Sequence, residues 1–175
     1  MDFEMLIEAR RSVRGYAEGI DRAELEAILK RAQMAPSWKN SQTARCYAVT
    51  SPELLEKVRA QALPSFNQNS SAHAALVVTT FVKDTAGFTG GVPDNEAGNC
   101  WGAYDLGLHD AYLVLAASDA GYDTLIMGIR DEAALRELLG IPEAEAVMSV
   151  IAVGKRAKEP ALRPRKPLEE VAKFF

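Results

Sequence analysis

The spacing of apolar positions changes period several times along the chain, and each change marks an expected element boundary. Phe3, Leu6 and Ile7 fall on one face of a helix ending near Arg11. Leu25, Ile28, Leu29 and Ala32 form a second helical stripe, with Asp21 and Glu24 as its capping box and Pro36 as its stop. The period then shortens. CYAVT (46–50) reads as a strand, after which Ser51 and Pro52 supply the cap and first residue of a helix over PELLEKVRAQA. AALVVTTFV (74–82) is apolar or β-branched throughout, the pattern of a strand covered on both faces.

Residues 101–121 predict the longest helix, with Leu108, Tyr112, Leu115 and Ala116 on one face and Gly121 as its end. Its apolar residues run nearly all round, which predicts a central position. TLIMGI (124–129) reads as a short strand, DEAALRELLG (131–140) as a capped helix and AVMSVIAVG (146–154) as a second buried strand. The stretch 83–99 has little periodicity, and its length predicts a lid or a dimer-contact loop. Pro160, Pro164 and Pro167 keep the tail extended until a short final turn. Helices and strands mix without a strict βαβ repeat, so the fold class expected is α+β, arranged as three α/β/α layers.

Size adds one expectation: 175 residues suit a single domain spanning 1–175. Apolar runs are too short for a bilayer and the acidic start MDFEMLIEAR does not read as a signal peptide, which predicts a cytoplasmic protein with no membrane partner. A net charge of -4 argues against nucleic acid as a partner. Cys46 and Cys100 make no CxxC or disulfide framework and are expected as core thiols. His73 and His109 lack metal-ligand spacing, so no metal is expected and both read as structural or surface groups.

Against that acidic balance, RRSVRGY (10–16) gathers three arginines around one serine. In an extended chain Arg10, Ser12 and Arg14 point one way, while Arg11 and Val13 face the other. Arg163 and Arg165 repeat this geometry in RPRKP, held extended by proline. Guanidinium forks bind phosphate oxygens bidentately, so the two clusters could share one dianion. Each alone also reads as a solvated basic patch. No GxGxxG follows a strand and no GxxxxGK[ST] occurs, which removes the usual nucleotide loops. In APSWKNSQT (35–43), Ser37, Asn40 and Gln42 can bond the edge of a heteroaromatic ring and Trp38 can wall it, although the segment also reads as a plain helix-ending loop. No side chain is singled out as catalytic: GxSxG and any evident Cys–His pairing are absent, so enzymatic chemistry would fall to a cofactor.

The order RRSVRGY, APSWKNSQ, FNQN, YDLGL, IMGI and RPRKPLEEV, from residue 10 to about 171, resembles the FMN-dependent nitroreductase family. The resemblance implies a mixed, mainly antiparallel sheet flanked by helices, and a homodimer with FMN held noncovalently at the interface. It implies that Arg10, Arg11, Ser12 and Arg14, with Arg163 and Arg165, surround the flavin phosphate. Asn67 would lie near the ribityl chain and ring. Met127 and Gly128 would pack beside the ring, with a backbone N–H toward N5. Pro36, Ser37, Trp38 and Asn40 would reach the flavin from the partner subunit. NAD(P)H would reduce the flavin, and a nitroaromatic, quinone or related small oxidant would reoxidise it by a ping-pong sequence. Alternatives are a non-catalytic flavin- or phospholigand-binding module and a specialised activity such as reductive dehalogenation. Thr43, His109 and Ala111 depart from the family pattern, as do Asn69 and Ser70 where a basic residue is common.

Overall fold

The computed structural model describes residues 2–175. The chain runs α1 (Phe3–Ala9), β1 (Tyr16–Glu18), α2 (Arg22–Ala32), β2 (Ala44–Val49), α3 (Pro52–Ala62), α4 (Ser65–Ser70), β3 (Ala75–Val82), β4 (Phe88–Thr89), β5 (Val92–Pro93), α5 (Cys100–Asp119), β6 (Asp123–Met127), α6 (Glu132–Leu139), β7 (Glu145–Arg156) and α7 (Leu168–Val171), with a 3₁₀ turn at Trp38–Asn40.

The 12-residue β7 is the spine of the sheet. β3, β6 and β1 all pair with it antiparallel, and β2 pairs antiparallel with β3. One parallel bridge joins Ser12 to Thr124. Side-chain alternation then builds two cores. Leu76, Val78, Val150, Ala152, Leu125 and Met127 pack with Val58 and Ala62 of α3 and Leu135 of α6. Ala75, Val77, Ile151 and Val153 pack on the other face with Leu25 and Ile28 of α2 and Leu113 and Ala117 of α5. Each large aliphatic side chain removed from water there contributes about 1.5–3 kcal/mol. The result is the expected three-layer α+β fold. Among the described residues, no helix is long and apolar enough to cross a membrane.

Local signals account for most boundaries. Asp21 accepts the Glu24 N–H at 2.9 Å and Asp131 accepts the Ala134 N–H at 3.0 Å. Gly140 ends α6 in the left-handed region, at φ 65°. The capping box at α2 is only half made, because the Glu24 carboxylate instead accepts the Tyr122 hydroxyl. On α5 the packed stripe is Leu106, His109, Leu113, Ala116 and Ala117; of the expected Leu108–Tyr112–Leu115–Ala116 face, Ala116 is buried, Leu108 and Leu115 are half-buried and Tyr112 is exposed. The buried stripe is turned away from Tyr112 because His109 and Asp110 are buried through hydrogen bonds. Cys100, expected in the core, is exposed at the start of α5, whereas Cys46 is partly buried.

β1, α4 and the β4–β5 hairpin lacked a recognised sequence signal. β1 forms where the chain crosses β7 so closely that a Cβ on Gly154 would lie 2.5 Å from the Glu18 carbonyl oxygen. The hairpin turns through Gly90 and Gly91, both at positive φ, as a two-residue turn requires.

Candidate cofactor site

α1 leaves the helical region at Arg10 and the chain continues extended. The Val13 N–H donates to the Thr124 carbonyl at 2.9 Å, and Val13 is fully buried, so Ser12 and Arg14 face outward as alternation requires. At the other chain end, the Ala157 N–H donates to the Gly15 carbonyl at 3.1 Å, which brings the tail back beside this segment. The two meet around a cavity of about 360 Å³ lined by Arg10, Arg11, Ser12, Arg14, Lys158, Glu159, Pro160, Ala161, Leu162, Arg163 and Arg165. Arg11 lines it too, contrary to the alternation argument, but its Nη1 turns back to donate to the carbonyls of Glu8 and Arg10. Glu159, the sole carboxylate of this lining, accepts from Arg156. Burial first, then the charges of Arg165 and Arg11, push the Arg10 guanidinium below its ordinary range. An anion here would relieve that repulsion.

Arg10 also lines an adjoining cleft of about 500 Å³. Its walls are Ala103, Leu106, Gly107, Ala111 and Val114 of α5 with Ile126, Gly128 and Met148, and Asp110 and Ser149 add polar edges. Met127 behaves differently from Gly128: its side chain is buried in the core beneath α3 and α6. Asn67 is buried, and its Nδ2 donates to the Ile129 carbonyl at 3.0 Å, so it holds the backbone just after Gly128. Met127→Leu is therefore expected to cost less than about 1.5 kcal/mol, as a volume-conserving core exchange, and to leave ligand affinity unchanged. Urea unfolding and a ligand titration check both.

The segment 36–43 lies elsewhere. Pro36 and Ser37 line a third cavity of about 370 Å³, with Gln42, Thr43, Cys46, Asp105 and His109 among its walls, and share no lining residue with the arginine cavity. Lys39, Asn40 and Gln42 all sit at positive φ, 47°, 55° and 49°. Such backbone is costly away from glycine and needs surrounding support. Asp105 accepts the Trp38 N–H at 2.9 Å, Ser37 Oγ accepts the Gln42 N–H at 3.0 Å, and the Trp38 ring lies 4.7 Å from that of Trp101. The hairpin adds a clasp: Lys39 Nζ is 3.7 Å from Asp94 and donates to Thr89 at 3.2 Å. The stretch 83–99 is thus docked against the Trp38–Asn40 turn.

Burial pushes the Asp105 carboxyl above its ordinary value, while the Trp38 N–H opposes the shift. A carboxyl raised on folding lowers stability once pH exceeds the unfolded value, and the full penalty stands above the folded one. Asp105→Asn, which keeps an acceptor for Trp38, is expected to raise Tm at neutral pH and to lose that advantage as pH falls below the unfolded carboxyl's range. Thermal scans across that range check the sign.

A buried polar chain joins this third cavity to the apolar cleft. Cys46 Sγ is 3.9 Å from His109 Nε2, His109 Nδ1 is 3.2 Å from Asp110 Oδ1, and Thr79 donates to Asp110 Oδ2 at 3.1 Å and contacts Ser149 Oγ at 2.9 Å. The sequence suggested no such Cys–His pair. Burial, and then Asp110, push the Cys46 thiol up to about 12, so it stays protonated and is no nucleophile at neutral pH. Among the described residues, no three His, Cys, Asp or Glu groups are placed to hold a metal.

Sequence reasoning missed Lys158, Asp105, Trp101 and Ser149. Only Lys158 carried a usable signal, as part of the basic run GKRAKEP ahead of the prolines.

The nitroreductase family's sequence model matches residues 7–155. The chain belongs to the nitroreductase family. It is 33% identical to an Archaeoglobus fulgidus protein provisionally named NADH dehydrogenase/NAD(P)H nitroreductase, over 85% of this chain and 82% of that one. It is 28% identical to a Bacillus subtilis (strain 168) protein provisionally named NAD(P)H nitroreductase YdgI, over 99% and 97%. The fold matches a nitroreductase family protein from Streptococcus pneumoniae TIGR4, with TM-score 0.84, 22% identity and coverage of 99% and 100%. It also matches a provisionally named nitroreductase from Exiguobacterium sibiricum 255-15, solved in complex with FMN, with TM-score 0.85, 23% identity and coverage of 100% and 98%.

Proposed function

We propose that this nitroreductase-family chain forms a homodimeric oxidoreductase that binds FMN noncovalently along the arginine cavity and the adjoining apolar cleft. The observation carrying this reading is the convergence of Arg10, Arg14, Arg163 and Arg165 from opposite chain ends on one cavity, with Arg10 shared by the cleft beside it. Six basic groups around a single carboxylate suit a phosphate dianion, and an apolar cleft next to them suits a flat ring. The FMN complex of the Exiguobacterium relative supports the same ligand.

Bound FMN supplies the redox chemistry, passing two electrons from NAD(P)H to a nitroaromatic, quinone or related small oxidant in a ping-pong sequence. The chain's own groups bind and orient. Arg10, Ser12, Arg14, Arg163 and Arg165 hold the phosphate, and Arg11 braces the end of α1 from which Arg10, Ser12 and Arg14 follow. Gly128 leaves the cleft open, since nothing lies within 4 Å of where its Cβ would be. Asn67 and Met127 hold that backbone in place from beneath. Pro36, Ser37, Trp38 and Asn40 complete the site from the partner subunit, which accords with their separation from the arginine cavity within one chain. Exposed Phe3, Met5 and Ile7 of α1, with Leu168, Val171, Phe174 and Phe175 of the tail, supply apolar surface for that pairing.

The test begins with the absorbance spectrum of the purified protein and its mass by light scattering. A flavin spectrum on a dimer is expected, with NADH or NADPH oxidation giving parallel double-reciprocal lines against a quinone. A flavin-loaded monomer overturns the composite site. Bound FMN without turnover makes the protein a flavin-binding module, and failure to take up FMN overturns the reading altogether.

A further inference from the structure

His109 and Asp110 are neighbours on α5, and about 100° of helical rotation separates their side chains. Asp110 therefore lines the apolar cleft while His109 lines the third cavity, and both are buried. Asp110 Oδ1 faces His109 Nδ1 at 3.2 Å, and its Oδ2 accepts the Thr79 hydroxyl at 3.1 Å. Among the described residues, no Lys or Arg is within ion-pair distance of this carboxylate, and His109 is its one titratable partner. A carboxylate only accepts, so Nδ1 carries the proton of the neutral ring and Nε2 is left bare. Nε2 faces only the Cys46 sulfur, a weak partner at 3.9 Å. The Cys46 thiol is held protonated, and Thr79 and Ser149 are hydroxyls, so imidazole is the one side-chain kind in this network that changes charge near neutral pH. The other charged or titratable groups lining the two cavities are Asp105 of α5 with Arg45 and Cys46 of β2 on the His109 side, and Arg10 on the Asp110 side. α2, β6 and β7 line them with uncharged groups alone.

We propose that His109 takes up a proton when the ligand in the apolar cleft is reduced, and that the Asp110 carboxylate carries this coupling to the cleft. The proposal rests on the FMN reading, with the flavin ring in that cleft. NAD(P)H transfers a hydride to the ring: a nicotinamide C–H bond breaks, the nicotinamide is oxidised, and the ring is reduced and gains one negative charge. In a site shielded from water that charge is repelled by the buried Asp110, which has no Lys or Arg to offset it. One proton from water bonds to His109 Nε2 and makes the imidazolium, whose Nδ1–H still donates to Asp110. The neutral histidine and aspartate pair then leaves the cleft without excess negative charge. When the oxidant removes the two electrons, the ring loses its charge and Nε2 releases the proton. His109 acts through Asp110 and is a positioning residue of the site.

The experiment follows the imidazole signals of FMN-loaded, histidine-labelled protein by NMR across the neutral pH range, oxidised and then reduced anaerobically with dithionite. The chain has only two histidines, and His73→Gln assigns them. Reduction is expected to raise the His109 titration midpoint by about one unit or more, as a new negative charge near a buried pair does, and to leave His73 unmoved. The potential of the bound flavin, measured by dye equilibration over the same range, should fall more steeply with pH in wild type than in His109→Gln or Asp110→Asn. The difference is expected to reach about 30 mV per pH unit, the value of one extra proton per two electrons. A purely structural role for His109 would leave this slope unchanged. A His109 midpoint equal in the two redox states overturns the proposal, as does an equal slope in wild type and His109→Gln. The wild-type NMR titration decides the matter even if a variant fails to fold. Absorbance of the same samples separates the two readings: protein that takes up no FMN overturns the cofactor assignment and this proposal with it, whereas bound FMN with an unmoved His109 overturns this proposal alone.

Discussion

Arg14→Ala and Arg165→Ala are each expected to weaken FMN by about 1.5–3 kcal/mol, the worth of a hydrogen bond to a charged group, or roughly 10- to 150-fold. Both residues line the cavity on which the two chain ends converge. Riboflavin, which lacks the phosphate, should bind wild type and variants alike. The double variant should lose less than the sum of the singles, because groups sharing one anion are coupled. Fluorescence titration of both flavins against all four proteins decides the point. Solvated basic patches would instead give small, additive, salt-sensitive losses equal for the two flavins. That pattern would remove the phosphate from this cavity.

Asp123→Ala is expected to destabilise the fold by about 3 kcal/mol, the lower end for breaking a buried ion pair. Asp123 is buried and accepts the Arg156 Nε at 2.8 Å, its Nη2 at 2.6 Å and its backbone N–H at 3.1 Å. The lower end applies because Arg156 keeps Glu159 and part of its contact with water. Arg156 ends β7 two residues before Lys158, so the same contact aims the tail that carries Arg163 and Arg165. FMN should therefore weaken more than riboflavin, and Asp123→Asn should recover part of the stability through its remaining acceptor. Urea unfolding with paired flavin titrations measures both effects. A stability loss under about 1 kcal/mol with unchanged FMN affinity would show that the tail is anchored elsewhere.

Alternation and helical period sufficed for β3, β7, α2, α3 and α6, since each buries one face or both against the same two cores. The capping residues Asp21 and Asp131 were readable because a cap acts over three residues. β1 was not readable, because its strand character comes from pairing with Lys155 and Arg156 at the far end of the chain. The stripe on α5 was misread for a related reason. His109 and Asp110 are buried only because β2, β3 and β7 bring Cys46, Thr79 and Ser149 to them.

For the site, the sequence by itself determined that Ser12 and Arg14 face outward around a buried Val13, though not that Arg11 joins them, and that Arg163 and Arg165 lie on an extended, proline-held tail, because these follow from backbone geometry over a few residues. Only the tertiary structure decided that the two clusters meet, through the Ala157–Gly15 hydrogen bond and the Arg156–Asp123 pair. It also decided that Met127 turns into the core while Gly128 faces the cleft, and that the strained Trp38–Asn40 turn rests on Asp105 and Trp101. Contacts between residues more than sixty positions apart depend on how the layers close over the sheet. No local pattern of polarity encodes that closure.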